Sequence, residues 1–240
     1  MKVIAMIPAR YEASRFPGKL MQLLGSKTVI QRTYEATVQT NLFDEVYVVT
    51  DSDLIEAEIK KNGGQVLRSQ QAHESGTDRI AEVARNRVFD IVVNVQGDSP
   101  FIKKESLQQV IAQFNDPAVQ VGSMMRPITE AEDIQNPNVV KVVVDLNNNS
   151  IFFSRSVIPF PRDPQASSSY YEHIGVYAFR KEILLHFTAW PLTPLEKIEK
   201  LECLRLLEHG ISIRMVLAPE KGVEIDTPED LEKARVLLGL

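Results

Sequence analysis

Three cationic side chains and a serine near the amino terminus are candidates for a chemical role. Arg10, Arg15 and Lys19 lie within ten residues of chain, and Ser14 lies between them. Cationic side chains, a hydroxyl and exposed backbone N–H groups suit a polyphosphate, because its oxygens accept hydrogen bonds from all three kinds of donor. A solvated basic loop would show the same composition, so this segment taken alone leaves both interpretations open.

The same segment lacks two common nucleotide-binding motifs. It is not a Walker A motif, because Ala13 stands at the first glycine position and Leu20 replaces the serine or threonine. No Gly-x-Gly-x-x-Gly follows the first predicted strand, which disfavours a dinucleotide-binding fold.

A second candidate is the carboxylate of Asp98. It follows the apolar run Ile91–Val95 in the sequence Gln96-Gly97-Asp98. A carboxylate at the carboxyl end of a buried strand can hold Mg²⁺, which takes one or two carboxylates together with substrate phosphates. The alternative is that Asp98 caps a helix beginning near Lys104, and the cationic loop favours the metal site.

The elements that must position these groups alternate between strand and helix. Such alternation predicts a parallel sheet with right-handed crossovers, and ligands bind such sheets at the carboxyl ends of the strands. The predicted strands are Lys2–Ile7, Glu45–Thr50, Gln65–Leu67 and Ile91–Val95, and the first two helices are Thr28–Thr40 and Asp53–Asn62.

The second half of the chain departs from this alternation. Val139–Asp145 and Ser150–Ser154 predict a hairpin. Tyr170–Phe179 predicts a strand with His173, Gly175 and Tyr177 on one face by two-residue alternation.

The best-signalled helix begins at a capping box with a proline in its first turn. It is predicted to run from Thr193 to Gly210 with a leucine-rich stripe. Glu199, Glu202 and Arg205 are three residues apart, so they would lie on one side of this helix.

Composition limits the class of protein. The 240 residues are 44% hydrophobic, enough for a sizeable core. The net charge of −5 argues against nucleic-acid binding. A single cysteine, Cys203, and no apolar run of membrane-spanning length predict a cytoplasmic protein with no membrane insertion.

Eight motifs in a fixed order resemble one enzyme family. They are Ile-Pro-Ala-Arg-x3-Ser-Arg-Phe-Pro-Gly-Lys (7–19), His-x-Ser-Gly-Thr-Asp-Arg (73–79), Val-Asn-Val-Gln-Gly-Asp (93–98), Asn-Pro-Asn-x-Val-Lys-Val-Val (136–143), Phe-Ser-Arg-Ser-x-Ile-Pro (153–159), His-Ile-Gly-x-Tyr (173–177), Leu-Glu-x2-Glu-x-Leu-Glu-x-Leu-Arg (195–205) and Asp-Thr-Pro-Glu-Asp-Leu (226–231). Each motif alone is weak, but their order over nearly the whole chain resembles the 3-deoxy-manno-octulosonate cytidylyltransferases, also called CMP-Kdo synthetases.

The resemblance implies a fold and an activity. The fold is a three-layer, Rossmann-like α/β fold of the nucleotide-diphospho-sugar transferase type, with a mostly parallel mixed sheet. It would form a single domain over residues 1–240, with a dimerisation excursion near 157–170. The activity is Mg²⁺-dependent transfer of CMP from CTP to the anomeric 2-hydroxyl of 3-deoxy-D-manno-octulosonate (Kdo), which releases pyrophosphate and serves lipopolysaccharide synthesis. Family members are homodimers.

The resemblance also implies roles for individual residues. Asp98 and Asp226 would bind the metal, and Lys19 would act with them in catalysis. The CTP-binding residues would be Arg10, Ser14, Arg15, Lys19, Ser75 and Arg79. The Kdo pocket would be lined by Gln96, Arg155, His173, Tyr177, Glu199 and Glu202.

Three positions depart from the family pattern, and they leave two alternatives open. Ser99 replaces a glutamate, Cys203 a glutamine and Glu224 a glycine. One alternative is a cytidylyltransferase for a related 2-keto acid sugar, such as 8-amino-Kdo or a sialic acid. The other is a weakly active homologue that only binds nucleotide.

Overall fold

The computed structural model describes residues 1–12, 16–73, 75–163, 169–218 and 224–240. The strands are β1 (Val3–Ala9), β2 (Leu23–Leu24), β3 (Lys27–Thr28), β4 (Glu45–Thr50), β5 (Val66–Arg68), β6 (Ile91–Asn94), β7 (Val121–Pro127), β8 (Lys141–Val144), β9 (Ser150–Ser154), β10 (Tyr171–Arg180) and β11 (Arg214–Leu217).

The helices are α1 (Val29–Gln39), α2 (Asp53–Lys61), α3 (Gly76–Ala84), α4 (Lys104–Ala112), α5 (Ala131–Gln135), α6 (Lys181–Ala189), α7 (Pro194–Glu199), α8 (Cys203–Glu208) and α9 (Pro228–Leu237), with short 3-10 helices at Lys19–Met21 and Gln113–Asn115. Among the helices that the structure describes, none has the length and apolar character needed to cross a bilayer.

The chain divides into two compact units. Unit 1 comprises the described residues of Met1–Leu107, Arg180–Thr188 and Gly222–Leu240. Unit 2 comprises those of Gln108–Phe179 and Ala189–Lys221. Both contain strands and helices, which confirms the predicted mixed α/β class.

Unit 1 is built on parallel strands. β1 pairs with β4 on one side and β6 on the other, and β4 continues to β5, all in parallel register. Residues Ile4–Ile7 of β1 are fully buried. A continuous apolar, β-branched run is what a strand covered on both faces requires, so the predicted parallel arrangement is confirmed here.

Unit 2 is mixed. β7 pairs in parallel with β11 and antiparallel with β10, while β8 pairs antiparallel with both β10 and β9. The predicted hairpin is therefore confirmed. Its turn is held by Asp145, whose carboxylate accepts hydrogen bonds from the backbone N–H groups of Asn147 and Asn149.

The prediction of one continuous helix from Thr193 to Gly210 is wrong. α7 ends at Glu199, the next residue, Lys200, has a left-handed backbone (φ 55°), and α8 begins at Cys203. Arg205 folds back on α7, where its Nε and Nη2 donate to the Glu196 carboxylate at 2.8 and 2.6 Å. A buried ion pair between the two helices therefore replaces the uniform apolar stripe.

Candidate functional site

Three charged side chains from distant parts of the sequence meet in unit 1. The ammonium group of Lys19 lies 2.5 Å from Oδ2 of Asp98 and 2.7 Å from Oδ1 of Asp226. All three side chains are mostly buried, so solvent screens their charges less than it would at an open surface. We call this group the Lys19–Asp98–Asp226 cluster.

Asp98 is positioned by the exit from β6. The backbone N–H of Val95 still bonds the carbonyl of Met6, after which the chain turns through Gly97. A Cβ atom at Gly97 would lie 3.0 Å from the Pro8 carbonyl oxygen, so the turn packs against β1 at a distance that only glycine permits comfortably. The Thr33 hydroxyl of α1 lies 2.9 Å from the Gly97 carbonyl oxygen.

Asp226 is held against the same turn. The N–H of Ile225, the residue before it, donates to the Asp98 carbonyl at 3.0 Å. The residue after it, Thr227, caps α9 in a reciprocal capping box with Asp230. Asp226 therefore projects from a backbone that is fixed on both sides.

Lys19 reaches the cluster from the first loop. Gly18 has a left-handed backbone (φ 68°), which glycine adopts readily, and its N–H donates to the Tyr11 carbonyl oxygen at 3.1 Å. Burial lowers the pKa of Lys19, but the charge of Asp98 and the hydrogen bonds to both aspartates outweigh it, so the net pKa is raised. The side chain is therefore a permanent cation near neutral pH.

The cluster suits a divalent cation. Two carboxylates already converge on one positive charge, and Mg²⁺ is commonly bound by one or two carboxylates plus substrate phosphates. Within the described ranges, no group of three or more histidine, cysteine, aspartate or glutamate side chains could form an all-protein metal site. Two carboxylates leave coordination positions for a substrate, which is the arrangement that substrate-bound magnesium needs.

The residues assigned by resemblance to CTP lie in different settings. Arg10 is exposed, and Ser14 and Arg15 lie outside the described residues. Ser75 caps α3, since its hydroxyl oxygen accepts from the Asp78 N–H at 3.1 Å. A contact between any of them and a nucleotide stays a prediction.

Arg79 is buried rather than open to solvent. Its guanidinium donates to the Ser69 hydroxyl at 2.5 Å and to the Asp51 carboxylate at 3.0 Å. Ser69 follows β5 and Asp51 follows β4, so Arg79 ties α3 to the carboxyl ends of two strands. Its observed partners give it a structural role, and a role at the nucleotide stays a prediction.

Of the residues assigned by resemblance to the sugar, Gln96 belongs to unit 1 and the others to unit 2. Gln96 is half-buried on the turn just before Asp98. In unit 2, Glu199 accepts from the Ser154 hydroxyl at 2.6 Å and from the Arg155 N–H at 3.0 Å.

The Arg155 guanidinium donates through Nε to the Glu199 carbonyl and through Nη1 to the Pro137 carbonyl. Its Nη2 makes no hydrogen bond to the part of the chain that the structure describes. The side chain is thus held in place with one donor edge left over.

His173 and Tyr177 lie side by side in unit 2. Their ring centroids are 5.3 Å apart, and Phe153 packs edge-on against His173 at 4.8 Å. Burial lowers the pKa of His173 to about 4, so the imidazole is neutral near pH 7. Burial, together with the charge of Glu202, raises the pKa of the Cys203 thiol to about 12, although its hydrogen bond with Tyr177 opposes this.

Sequence reasoning missed several residues that support these groups. Thr33 lies in the middle of α1 and Ser123 in the middle of β7, and both are fully buried. A single buried hydroxyl within a helix or strand gives little signal, because the sequence pattern does not show which distant carbonyl it bonds. The Ser99 hydroxyl, next to Asp98, is buried without a hydrogen-bond partner among the described residues.

Comparison with known proteins assigns the family. A family model described as cytidylyltransferase matches residues 4–213. The chain is 57% identical to the 3-deoxy-manno-octulosonate cytidylyltransferase of Flavobacterium johnsoniae over 99% of both chains. It is 55% identical to the protein of that name from Christiangramia forsetii, covering 99% of this chain and 97% of that one.

A solved structure agrees with these relatives. A CMP:2-keto-3-deoxy-manno-octonic acid synthetase complexed with CTP superposes with a TM-score of 0.95 at 38% identity, covering 100% of this chain and 99% of the other. A 4-diphosphocytidyl-2C-methyl-D-erythritol synthase from Anaerococcus prevotii, at 15% identity and a TM-score of 0.67, shares the fold. The chain therefore belongs to the 3-deoxy-manno-octulosonate cytidylyltransferase family.

Proposed function

We propose that this protein transfers CMP from CTP to the anomeric 2-hydroxyl of Kdo and releases pyrophosphate, the step that activates Kdo for lipopolysaccharide synthesis. The observation that carries the proposal is the convergence of Lys19, Asp98 and Asp226, in a chain 57% identical to a protein named for this activity. The identity over 99% of both chains leaves no large segment of that relative unmatched.

The reaction brings two anions together, so charge must be balanced where they meet. We assign Asp98 and Asp226 as the residues that would hold Mg²⁺. When bound, this ion would act as a Lewis acid that favours ionisation of the attacking hydroxyl and offsets phosphate charge. Lys19, a permanent cation between these carboxylates, would stabilise the negative charge that develops on the departing pyrophosphate. Arg10, which is exposed on the same loop, would attract the triphosphate.

We assign the binding of the sugar acid to directional hydrogen-bonding side chains. The unoccupied Nη2 edge of Arg155 suits the Kdo carboxylate, and the Glu199 backbone and side chain hold that guanidinium in place. Gln96, Tyr177 and Glu202 are assigned to the sugar hydroxyls.

Cys203 does not act as a nucleophile in this scheme. Its thiol is buried and protonated because its pKa lies at about 12. The Kdo hydroxyl would therefore displace pyrophosphate directly, without a cysteine-bound CMP intermediate.

The decisive experiment measures pyrophosphate release with CTP and Kdo, with and without Mg²⁺. Parallel reactions contain 8-amino-Kdo or a sialic acid in place of Kdo. We expect turnover with Kdo that disappears when the divalent cation is chelated. Absence of turnover with Kdo, or faster turnover with one of the other sugars, would overturn the proposal.

Two variants separate the chemistry from a general loss of charge. Asp98→Asn should abolish turnover while the protein stays folded by circular dichroism. Asp44→Asn is the control, because the exposed Asp44 carboxylate accepts the backbone N–H of Val3 at 2.7 Å and lies just before the amino-terminal end of β4, whereas Asp98 follows the carboxyl end of β6. Full activity in Asp98→Asn would remove Asp98 from the mechanism.

We also propose that the protein is a cytoplasmic homodimer. Phe160, within the segment 157–170 assigned to the dimer contact, has 82% of its surface exposed, so a partner subunit packed on this segment would cover it. Light scattering of the wild type and of Phe160→Ser tests this: a wild-type monomer at micromolar concentration would contradict it.

A further inference from the structure

The contact between His173 and Tyr177 depends on an irregularity in β10. In a regular strand, residues four apart are separated by about 13 Å, yet these two ring centroids are 5.3 Å apart. The register against β7 shows why: Ile174 pairs with Met124, but Tyr177 pairs with the next residue, Ser123. Gly175 and Val176, the two residues between Ile174 and Tyr177, form a bulge. The bulge brings the rings of His173 and Tyr177 together.

Ser123 lies opposite this bulge and is fully buried. Its hydroxyl oxygen lies 2.8 Å from the Val176 carbonyl oxygen, 3.2 Å from the Ile174 carbonyl oxygen and 3.1 Å from Nε2 of His173. It therefore contacts both the bulged backbone and the imidazole.

A single hydroxyl hydrogen decides the protonation pattern of the histidine. Two oxygens at 2.8 Å repel each other unless a hydrogen lies between them, so the Ser123 hydroxyl donates to the Val176 carbonyl. The hydroxyl oxygen must then accept from Nε2 of His173. A neutral imidazole has one N–H, which places the hydrogen on Nε2 and leaves Nδ1 as an acceptor.

We propose that Ser123 is a positioning residue that holds His173 as the Nε2–H tautomer, so that Nδ1 accepts a hydrogen bond from a hydroxyl group of the sugar acid. This inference rests on the proposed function for the identity of the sugar. As a residue His173 is half-buried, and no hydrogen bond to Nδ1 comes from any residue that the structure describes. As an acceptor, Nδ1 favours a hydroxyl of the sugar acid, which can donate, over its carboxylate, which cannot. The sugar's carboxylate would then be left to Arg155.

The tautomer can be measured directly in the ligand-free protein. Nitrogen-15 spectra of histidine-labelled protein, with the His173 signals assigned from a His173→Phe variant, distinguish a protonated from an unprotonated ring nitrogen. We expect protonation at Nε2 in the wild type and a mixture of tautomers in Ser123→Ala. Protonation at Nδ1 in the wild type would overturn the inference, whether or not Kdo proves to be the substrate.

Kinetics test the consequence for sugar binding. Ser123→Ala should raise KM for Kdo about tenfold, the equivalent of one hydrogen bond of about 1.4 kcal/mol, while KM for CTP and kcat change less than about twofold. In a His173→Phe background the same substitution should have no further effect on KM for Kdo. Equal increases in the KM of both substrates would overturn the inference.

Two further variants separate positioning from packing. Ser123→Thr keeps the hydroxyl and should keep the Nε2–H tautomer. Ser150→Ala is the matched control, because Ser150 is also buried and its hydroxyl accepts a backbone N–H from Ile213 at 2.9 Å. If Ser150→Ala raises KM for Kdo as much as Ser123→Ala does, Ser123 has no specific role.

Discussion

Replacing Lys19 by methionine tests whether the cluster in unit 1 is held together by one cation. The two carboxylate oxygens lie 2.5 and 2.7 Å from the ammonium group, so the sum of these distances, about 5.2 Å, limits their separation. Two negative charges at that distance repel by about 3 kcal/mol at an effective dielectric constant of 20. Methionine fills similar volume but leaves this repulsion without compensation.

We therefore expect Lys19→Met to lower the free energy of unfolding by about 2 to 3 kcal/mol, between the values for exposed and fully buried pairs. For a protein of this length, that corresponds to a Tm lowered by roughly 4 to 12 °C. Urea titration and calorimetry without Mg²⁺ give both quantities. Adding Mg²⁺ should then raise the Tm of Lys19→Met more than that of the wild type, because the ion replaces the missing charge.

Two controls make the result specific. Lys27→Met removes an ion pair of similar length, 2.6 Å to Glu35, from a more exposed place and should cost less than about 1 kcal/mol. The double variant Lys19→Met/Asp98→Asn should be more stable than Lys19→Met, because one of the two repelling charges is gone. A Lys19→Met protein as stable as Lys27→Met would refute the reasoning.

Three further predictions concern other groups. Gly97→Ala should lower stability by about 1 to 2 kcal/mol, since its Cβ would lie 3.0 Å from the Pro8 carbonyl oxygen; wild-type stability in urea titration would contradict this packing. Iodoacetamide should label Cys203 only in denaturant, because burial holds its pKa at about 12; rapid labelling of the native protein, read by mass spectrometry, would show that the thiol is accessible. The unfolded chain protonates His173 near pH 6.5 and the folded chain only near pH 4, so this residue should make stability fall as the pH decreases between these values, by at most about 3 kcal/mol. His173→Gln should flatten that part of the pH profile of urea unfolding, and an unchanged slope would contradict the low pKa.

The fold could be predicted where burial is uniform along an element. β1, β4 and β6 are apolar over almost their whole length, and each leads into a polar segment, so both the strands and their parallel arrangement follow from the sequence pattern. The helix predicted over Thr193–Gly210 failed for the opposite reason. Its leucine spacing suited one long helix, but Glu196 and Arg205 stabilise two short ones through a buried pair.

For the candidate site, the sequence pattern located single residues at the ends of elements, while their roles in binding and catalysis stay predictions. Asp98 follows a buried strand, and that position alone made it a candidate. Residue spacing could not reveal that Lys19 and Asp226, 207 positions apart, bond each other, nor that Ser123 contacts His173, 50 positions away.

Local pattern thus determined which segments became buried strands and which loops carried charge, because burial and turn formation depend on neighbouring residues. The tertiary structure decided which charges share a cluster, where β10 bulges and which nitrogen of His173 carries its hydrogen. Those features depend on hydrogen bonds and Coulomb interactions that act over a few ångströms, and only the folded chain brings residues from distant positions within that range.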